Sequence, residues 1–237
     1  ADKLDSICGL FAIGIQPTGS QDPFALRRSA LGIINIIIDK KLNISMLDLI
    51  DFSLYIYVEE TGLACDYNKE RGEILDFFMG RVRNLFLDNG IPYDVIDSVI
   101  HTGTDNIYDM RIRCEKLDSW AKGNDVADIL AAFGRLSSMA VKTDRTEVKR
   151  DLLTEEEILL FDAYNAIEEK VDTHIQKKEY DKALVVLGTL RYRIDGFFDK
   201  IMVMVDDMEL RNNRLALLRK IYDTMMRVCD LTYIVGR

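Results

Sequence analysis

Apolar residues recur at helical rather than strand spacing along most of this chain. In "NKERGEILDFFMGRVRNLFLDNG" they fall at Ile74, Phe77, Phe78, Val82, Leu85 and Phe86, and Gly90 follows where a helix end takes glycine. "PFALRRSALGIINIIIDKK" predicts a helix with Asp22 as the capping acceptor, Pro23 in the first helical position, and Lys40 and Lys41 at the negative end of the dipole. "PYDVIDSVIHTG" predicts a short helix stopped at Gly103, and "DVADILAAFGRLSSMAV" predicts another. The polar stretch "KTDRTEVKRD", residues 142–151, predicts a linker.

Beyond it, Thr154 and Glu157 have capping-box spacing, which starts a helix running to about Lys177. A second helix is expected from near Glu179 and a third from near Asp207. Leu184, Leu187, Ile194, Phe198, Ile201 and Val205 then form one core-bound face. Phe197 lies about 100° round from Phe198 and is expected to be partly exposed. Leu217, Leu218, Ile221, Met225 and Val228 form a matching face, with "DDMELRNNR" at the turn between the two helices. Period-two alternation with turn signals is absent, so the expected fold is all-α, built of helical bundles.

Composition adds boundaries. The chain has 237 residues, 48% hydrophobic and 30% charged, enough for one large domain or two smaller ones. Its three prolines leave room for long helices, and no apolar run reaches the ~18 residues of a membrane span. The opening "ADKLDSICGLFAIG" reads as the interior of a helix and predicts a piece of something longer. Cys8, Cys65, Cys114 and Cys229 are scattered, which fits reduced thiols in a cytoplasmic protein. The net charge of −9 argues against nucleic acid, but it is uneven. Residues 151–190 hold 10 acidic and 4 basic side chains, whereas 191–237 hold 7 acidic and 9 basic, a local excess of +2.

Catalytic patterns are missing: there is no GxxxxGK phosphate loop and no GxSxG elbow. His101 and His174 have no companion at metal spacing. Asp2 and Asp5 share a helix face but have no His-Asp doublet to complete a ligand set, so no metal site is expected. Arg27 and Arg28 suit either a solvated face or a clamp on phosphates. Arg191, Tyr192, Arg193, Asp195, Asp199, Arg211, Asn213 and Arg214 gather near one end of the predicted bundle. Such a set fits a splayed single-stranded base, and it equally fits a salt-bridged helix surface.

Two stretches, "GSQDPFALRRSALGI" and "FFDKIMVMVDDMELRNNRLALL", resemble the C-terminal part of the bacterial glycyl-tRNA synthetase beta subunit. The first is similar to the segment after that family's HD-like domain core, and "ADKLD" to the last helix of that domain. The second resembles its DALR anticodon-binding domain. The family's proline-containing turn before the Phe-Phe pair is replaced here by "LRYRIDGFF", so either the helix runs on into Phe197 or Gly196 breaks it.

The resemblance implies three regions: 1–45 as the end of the HD-like domain, 46–148 as a helical middle, and 149–237 as the anticodon-binding domain. It implies a heterotetramer of two alpha and two beta subunits, in which the alpha subunit activates glycine with ATP and magnesium and the beta subunit binds glycine tRNA. No cofactor, metal, catalytic residue or membrane contact is expected in this chain. The resemblance makes Arg191, Arg193, Phe197, Asp199, Arg211, Asn213 and Arg214 the expected anticodon contacts, with Arg27 and Arg28 on the RNA backbone. Glycine anticodons end in two cytosines, whose acceptors suit arginine and whose amino group suits Asp195 or Asp199. The competing expectation is a helical scaffold for subunit assembly that touches no RNA.

Overall fold

The computed structural model describes residues 1–19, 21–22, 24–60, 62–123 and 126–235. Among them the chain is helical, and the only extended pairing is a single bridge between Thr18 and Gln21. The helices are α1 (Asp2–Ala12), α2 (Leu26–Asp39), α3 (Met46–Tyr55), α4 (Tyr67–Asp88), α5 (Tyr93–Ile100), α6 (Ile107–Gly123), α7 (Ala127–Ala140), α8 (Glu155–Gln176), α9 (Tyr180–Gly188), α10 (Arg191–Lys200) and α11 (Met208–Met226). The chain divides into two compact units, residues 1–96 with 103–111, and residues 97–102 with 112–237.

In the first unit α1 packs on α2, α3 and α4, and α4 packs on α2 and α3. Ile7, Phe11, Ile34, Ile37, Ile50, Ile74, Phe78 and Val82 fill its core. The α4 stripe read from the sequence is largely the buried face, since Ile74, Phe78, Val82 and Phe86 are fully enclosed. Gly90 has φ of 80°, and the turn closes with Ile91 N–H donating to the Phe86 carbonyl at 3.1 Å. Asp22 does serve as a capping acceptor, but for a helix that starts at Leu26: its carboxylate accepts from the N–H groups of Leu26 and Arg27 at 2.8 and 3.1 Å. Pro23, expected as the first helical residue, lies outside the described residues.

In the second unit α11 is the central helix, packed on α7 and α8, while α10 packs on the same two and α9 on α8. Residues 213–218 of α11 are buried without interruption. A helix apolar on one stripe only could not supply this, and the two polar members, Asn213 and Arg214, have to find partners inside. The Thr154–Glu157 capping box is present as read.

Three expectations change here. First, α9 and α10 are separate helices. At Thr189 and Leu190 the backbone bonds tighten to three-residue closure, Thr189 to Val186 at 3.2 Å and Leu190 to Leu187 at 3.0 Å. The buried face runs Leu187, Leu190, Ile194 and Phe197, spaced three, four and three residues apart as on one helical stripe. Phe197 therefore sits in the core at 1% exposure, and Phe198 is the half-buried ring beside it. Second, α10 runs through Gly196 and ends at Lys200; Ile201 is already extended, so Ile201 and Val205 do not continue a helical face. Third, residues 142–151 join nothing separable. Arg219 donates to the Thr143 carbonyl at 2.8 Å, and Asn213 grips the backbone of Lys149, accepting from its N–H at 2.7 Å and donating to its carbonyl at 3.0 Å. Since α7 packs on α10 and α11, the C-terminal bundle begins ahead of residue 149.

Candidate nucleic-acid interface

The corner where α10 gives way to α11 is built around one carboxylate. Glu157 Oε2 accepts from the backbone N–H and the hydroxyl of Thr154 at 2.7 and 2.6 Å, and Oε1 accepts from Arg214 Nε at 2.6 Å. Arg214 also donates to the Met202 carbonyl at 2.9 Å. Burial alone would raise the Glu157 carboxyl, but the hydrogen bonds from Thr154 and Arg214 outweigh it and hold the group below its ordinary range. The network ties the start of α8, the start of α11 and residue 202 together. Arg214 is 8% exposed, with Nε on Glu157 and Nη1 on the Met202 carbonyl, so it acts here as a structural tie. Asn213, 6% exposed, is spent on Lys149, and Phe197 is core; both leave the expected contact set.

The remaining expected residues lie at two places. Arg211 occupies the first turn of α11, behind the Asp207 cap whose carboxylate accepts from Glu209 and Leu210 N–H groups at 2.9 and 3.1 Å. Among the described residues its guanidinium reaches only the Met208 sulfur, at 3.2 Å. Asp199 is exposed in the last turn of α10, close in sequence to this corner. Arg191 and Arg193 are in the first turn of α10, about 12 Å further along its axis by helical rise. Arg191 pairs with Asp128 at 2.6 Å, and Arg135 with Asp195, so this end is salt-bridged. Arg193 is exposed with no polar partner among the described residues.

The basic excess of residues 191–237 is thus not a basic surface. Lys200 pairs with Glu156, Arg219 with Asp144 and Asp223, Lys220 with Glu168 and Arg227 with Asp172. Carboxylates from α8 and the 142–151 segment neutralise the last two helices. Among the described residues of this stretch, Arg193 and Arg211 are the cations left without a carboxylate.

Sequence reasoning missed the methionines. Met202, Met204 and Met208 are 74%, 47% and 61% exposed around the corner, while Val203 between them is buried at 5%. All five residues of "IMVMV" are apolar, so no apolar–polar pattern marked the out-in-out order. A groove of about 720 Å³ adjoins Met208, lined by Arg145, Lys149, Glu209 and Asn212. The Asn212 side chain has no partner among the described residues.

In the first unit Arg27 is turned onto its own loop, donating to the carbonyls of Gly19 at 2.8 Å and Gln21 at 3.4 Å. Arg28 is exposed with no partner among the described residues. The two arginines stand in the first turn of α2, one turn earlier than expected.

The second unit is an all-helical bundle, and residues 129–234 match the family model of the DALR anticodon binding domain. Residues 1–101 match the family model of the glycyl-tRNA synthetase beta subunit. Over 99% of its length the chain is 44% identical to the glycine--tRNA ligase beta subunit of Clostridioides difficile and 38% identical to that of Desulforamulus reducens. The counterpart from Syntrophomonas wolfei is 37% identical over the same share. The chain spans 34% of the length of each of these curated relatives. It belongs with the C-terminal part of the glycyl-tRNA synthetase beta subunit family. The anticodon-domain match starts inside α7, in agreement with a bundle that includes that helix.

Proposed function

We propose that this chain is the tRNA-binding part of a glycine–tRNA ligase beta subunit, and that the corner between α10 and α11 meets the anticodon loop. The observation that carries the reading is the anticodon-domain match over the very bundle that leaves Asp199 and three methionines exposed, and Arg211 half-exposed, at one corner. Arg211 supplies donors for base acceptors and a flat guanidinium on which a base can stack. Asp199 supplies an acceptor for a cytosine amino group, and the methionines supply polarizable apolar surface. Arg193, at the far end of α10, suits a phosphate, as does Arg28 on α2; such contacts position RNA without reading it.

The same reading brings in an alpha subunit as partner, with ATP and magnesium acting on glycine through that subunit, in the cytoplasm. No helix among the described residues is long and apolar enough to cross a membrane.

The test is affinity of the chain for glycine tRNA, and for versions with each anticodon cytosine replaced, across a salt series. Tighter binding to the intact anticodon, weakening with salt, is expected. Equal affinity for all three RNAs would sink the anticodon reading.

A further inference from the structure

The fold does not treat the nine methionines of the chain alike. Met46, Met110 and Met225 are buried, and Met79, Met139 and Met226 are half-buried. The three exposed ones, Met202, Met204 and Met208, all stand at the corner between α10 and α11. A thioether does not ionise, so access decides which methionines an oxidant reaches first, and here access is confined to one place.

Met208 has a second distinction. Arg211 Nη2 donates to its sulfur at 3.2 Å, and among the described residues no carboxylate claims that guanidinium. A thioether is a weak acceptor, so the contact leaves Arg211 available to a stronger one, such as a phosphate or a base. Oxidation reverses this. A sulfoxide oxygen is a polar acceptor on the same flexible side chain, three residues from Arg211 along one helix face. Met208 also walls the groove of about 720 Å³, which opens its sulfur to a small oxidant.

We propose that Met208 is a site of reversible oxidation whose sulfoxide captures Arg211 and withdraws it from RNA. With hydrogen peroxide the sulfur lone pair attacks one oxygen, the S–O bond forms and the O–O bond breaks. Sulfur gives up two electrons, and the proton on the transferred oxygen passes to the departing hydroxide, which leaves as water. A methionine sulfoxide reductase reverses the step: two thiols become a disulfide and the oxygen leaves as water. The effect on RNA rests on the proposed function above, whereas the oxidation and the capture of Arg211 do not.

The chain would be treated with hydrogen peroxide, digested and mapped for the gain of one oxygen. Met208 should react ahead of Met46, Met110 and Met225; an unreacted Met208 would overturn the proposal. Capture is read without RNA, from the rate at which phenylglyoxal modifies Arg211. Oxidation should slow that rate at least about fivefold, since a charge-assisted bond then holds the guanidinium, and should not slow it in Met208→Leu. Equal rates before and after oxidation in the unsubstituted chain would overturn the capture. Affinity for glycine tRNA should fall about tenfold on oxidation, as for the loss of one charge-assisted contact, and return after reductase treatment. In Met208→Leu the ratio of affinities before and after peroxide should stay near one. A fall that persists in that variant would assign the effect to Met202 or Met204 and overturn the proposal. A chain that ignores the anticodon before any oxidation would overturn the RNA half together with the anticodon reading, while the phenylglyoxal rates decide the capture by themselves.

Discussion

Arg211 and Arg214 stand one turn apart on α11, yet the inner seam of the bundle and its outer rim use them in opposite ways. Arg214 is enclosed, meets Glu157 at 2.6 Å and holds the Met202 carbonyl, whereas Arg211 reaches nothing but a methionine sulfur among the described residues. Their neighbours divide likewise: Asn213 grips the Lys149 backbone, and Asn212 is unpartnered among the described residues. The lesson is that residue type says nothing about role at this corner. The turn of the helix decides, by sending one arginine toward a carboxylate and the next toward solvent.

The contrast can be broken most forcefully at the seam. Arg214→Ala strands a buried carboxylate and should cost about 3–5 kcal/mol of stability, read from denaturant midpoints. A loss below about 1 kcal/mol would mean that Glu157 finds another partner. Next comes Asn213→Ala, expected to cost about 1–3 kcal/mol because the Lys149 N–H and carbonyl lose their partners. It should also make 142–151 the first site of limited proteolysis; early cutting there in the unsubstituted chain would show that the tie to α11 is weak.

At the rim the measurement is binding. Arg211→Ala should leave stability within about 0.5 kcal/mol but cost about 1–3 kcal/mol of affinity for glycine tRNA and relax discrimination at one cytosine. Arg193→Ala should weaken all tRNAs alike and flatten the salt dependence. Unchanged discrimination in the Arg211 variant, with an intact fold, would move the reading site to Asn212 and the groove beside it.

The smallest effect is one of pH. Glu157 and Glu179 both have lowered carboxyls, Glu179 at about 2 through hydrogen bonds from Lys182 and His174. A lowered group contributes stability in full above its unfolded value, here 4.5, and loses it as pH falls toward the folded one. Stability should therefore decline from about pH 4.5 downward, and Glu157→Gln should make that decline shallower. An unaltered acid limb would remove Glu157 from the account.

The sequence revealed what is local. The Thr154–Glu157 box, the Asp22 carboxylate and the Gly90 stop are each decided within a few residues, and each could be read directly. What was not legible depends on distant chain. That Glu157 would also receive Arg214 requires two residues 57 positions apart to meet. Phe197 rather than Phe198 is the core ring because the buried stripe runs through Leu187, Leu190 and Ile194, and which of two apolar stripes faces inward is set by α7 and α8 packed against it. The charge excess of the last stretch dissolved for the same reason, since its counterions come from α8 and from 142–151. Of the expected anticodon set, Arg193 and Asp199 are exposed and Arg191 and Arg211 half-buried, while Asn213, Arg214 and Phe197 belong to the interior.

Glu157 also sets an order of events. One of its oxygens closes a helix start with a residue three positions away, a step that takes place on the timescale of helix formation, about a microsecond or less. The other has to wait until α9, α10 and the chain after them have been laid down and α11 arrives. The carboxylate is therefore satisfied twice, early from within and late from afar, and the late bond acts as a latch. Removing Arg214 should then leave the bundle assembling at nearly its former speed and coming apart much sooner.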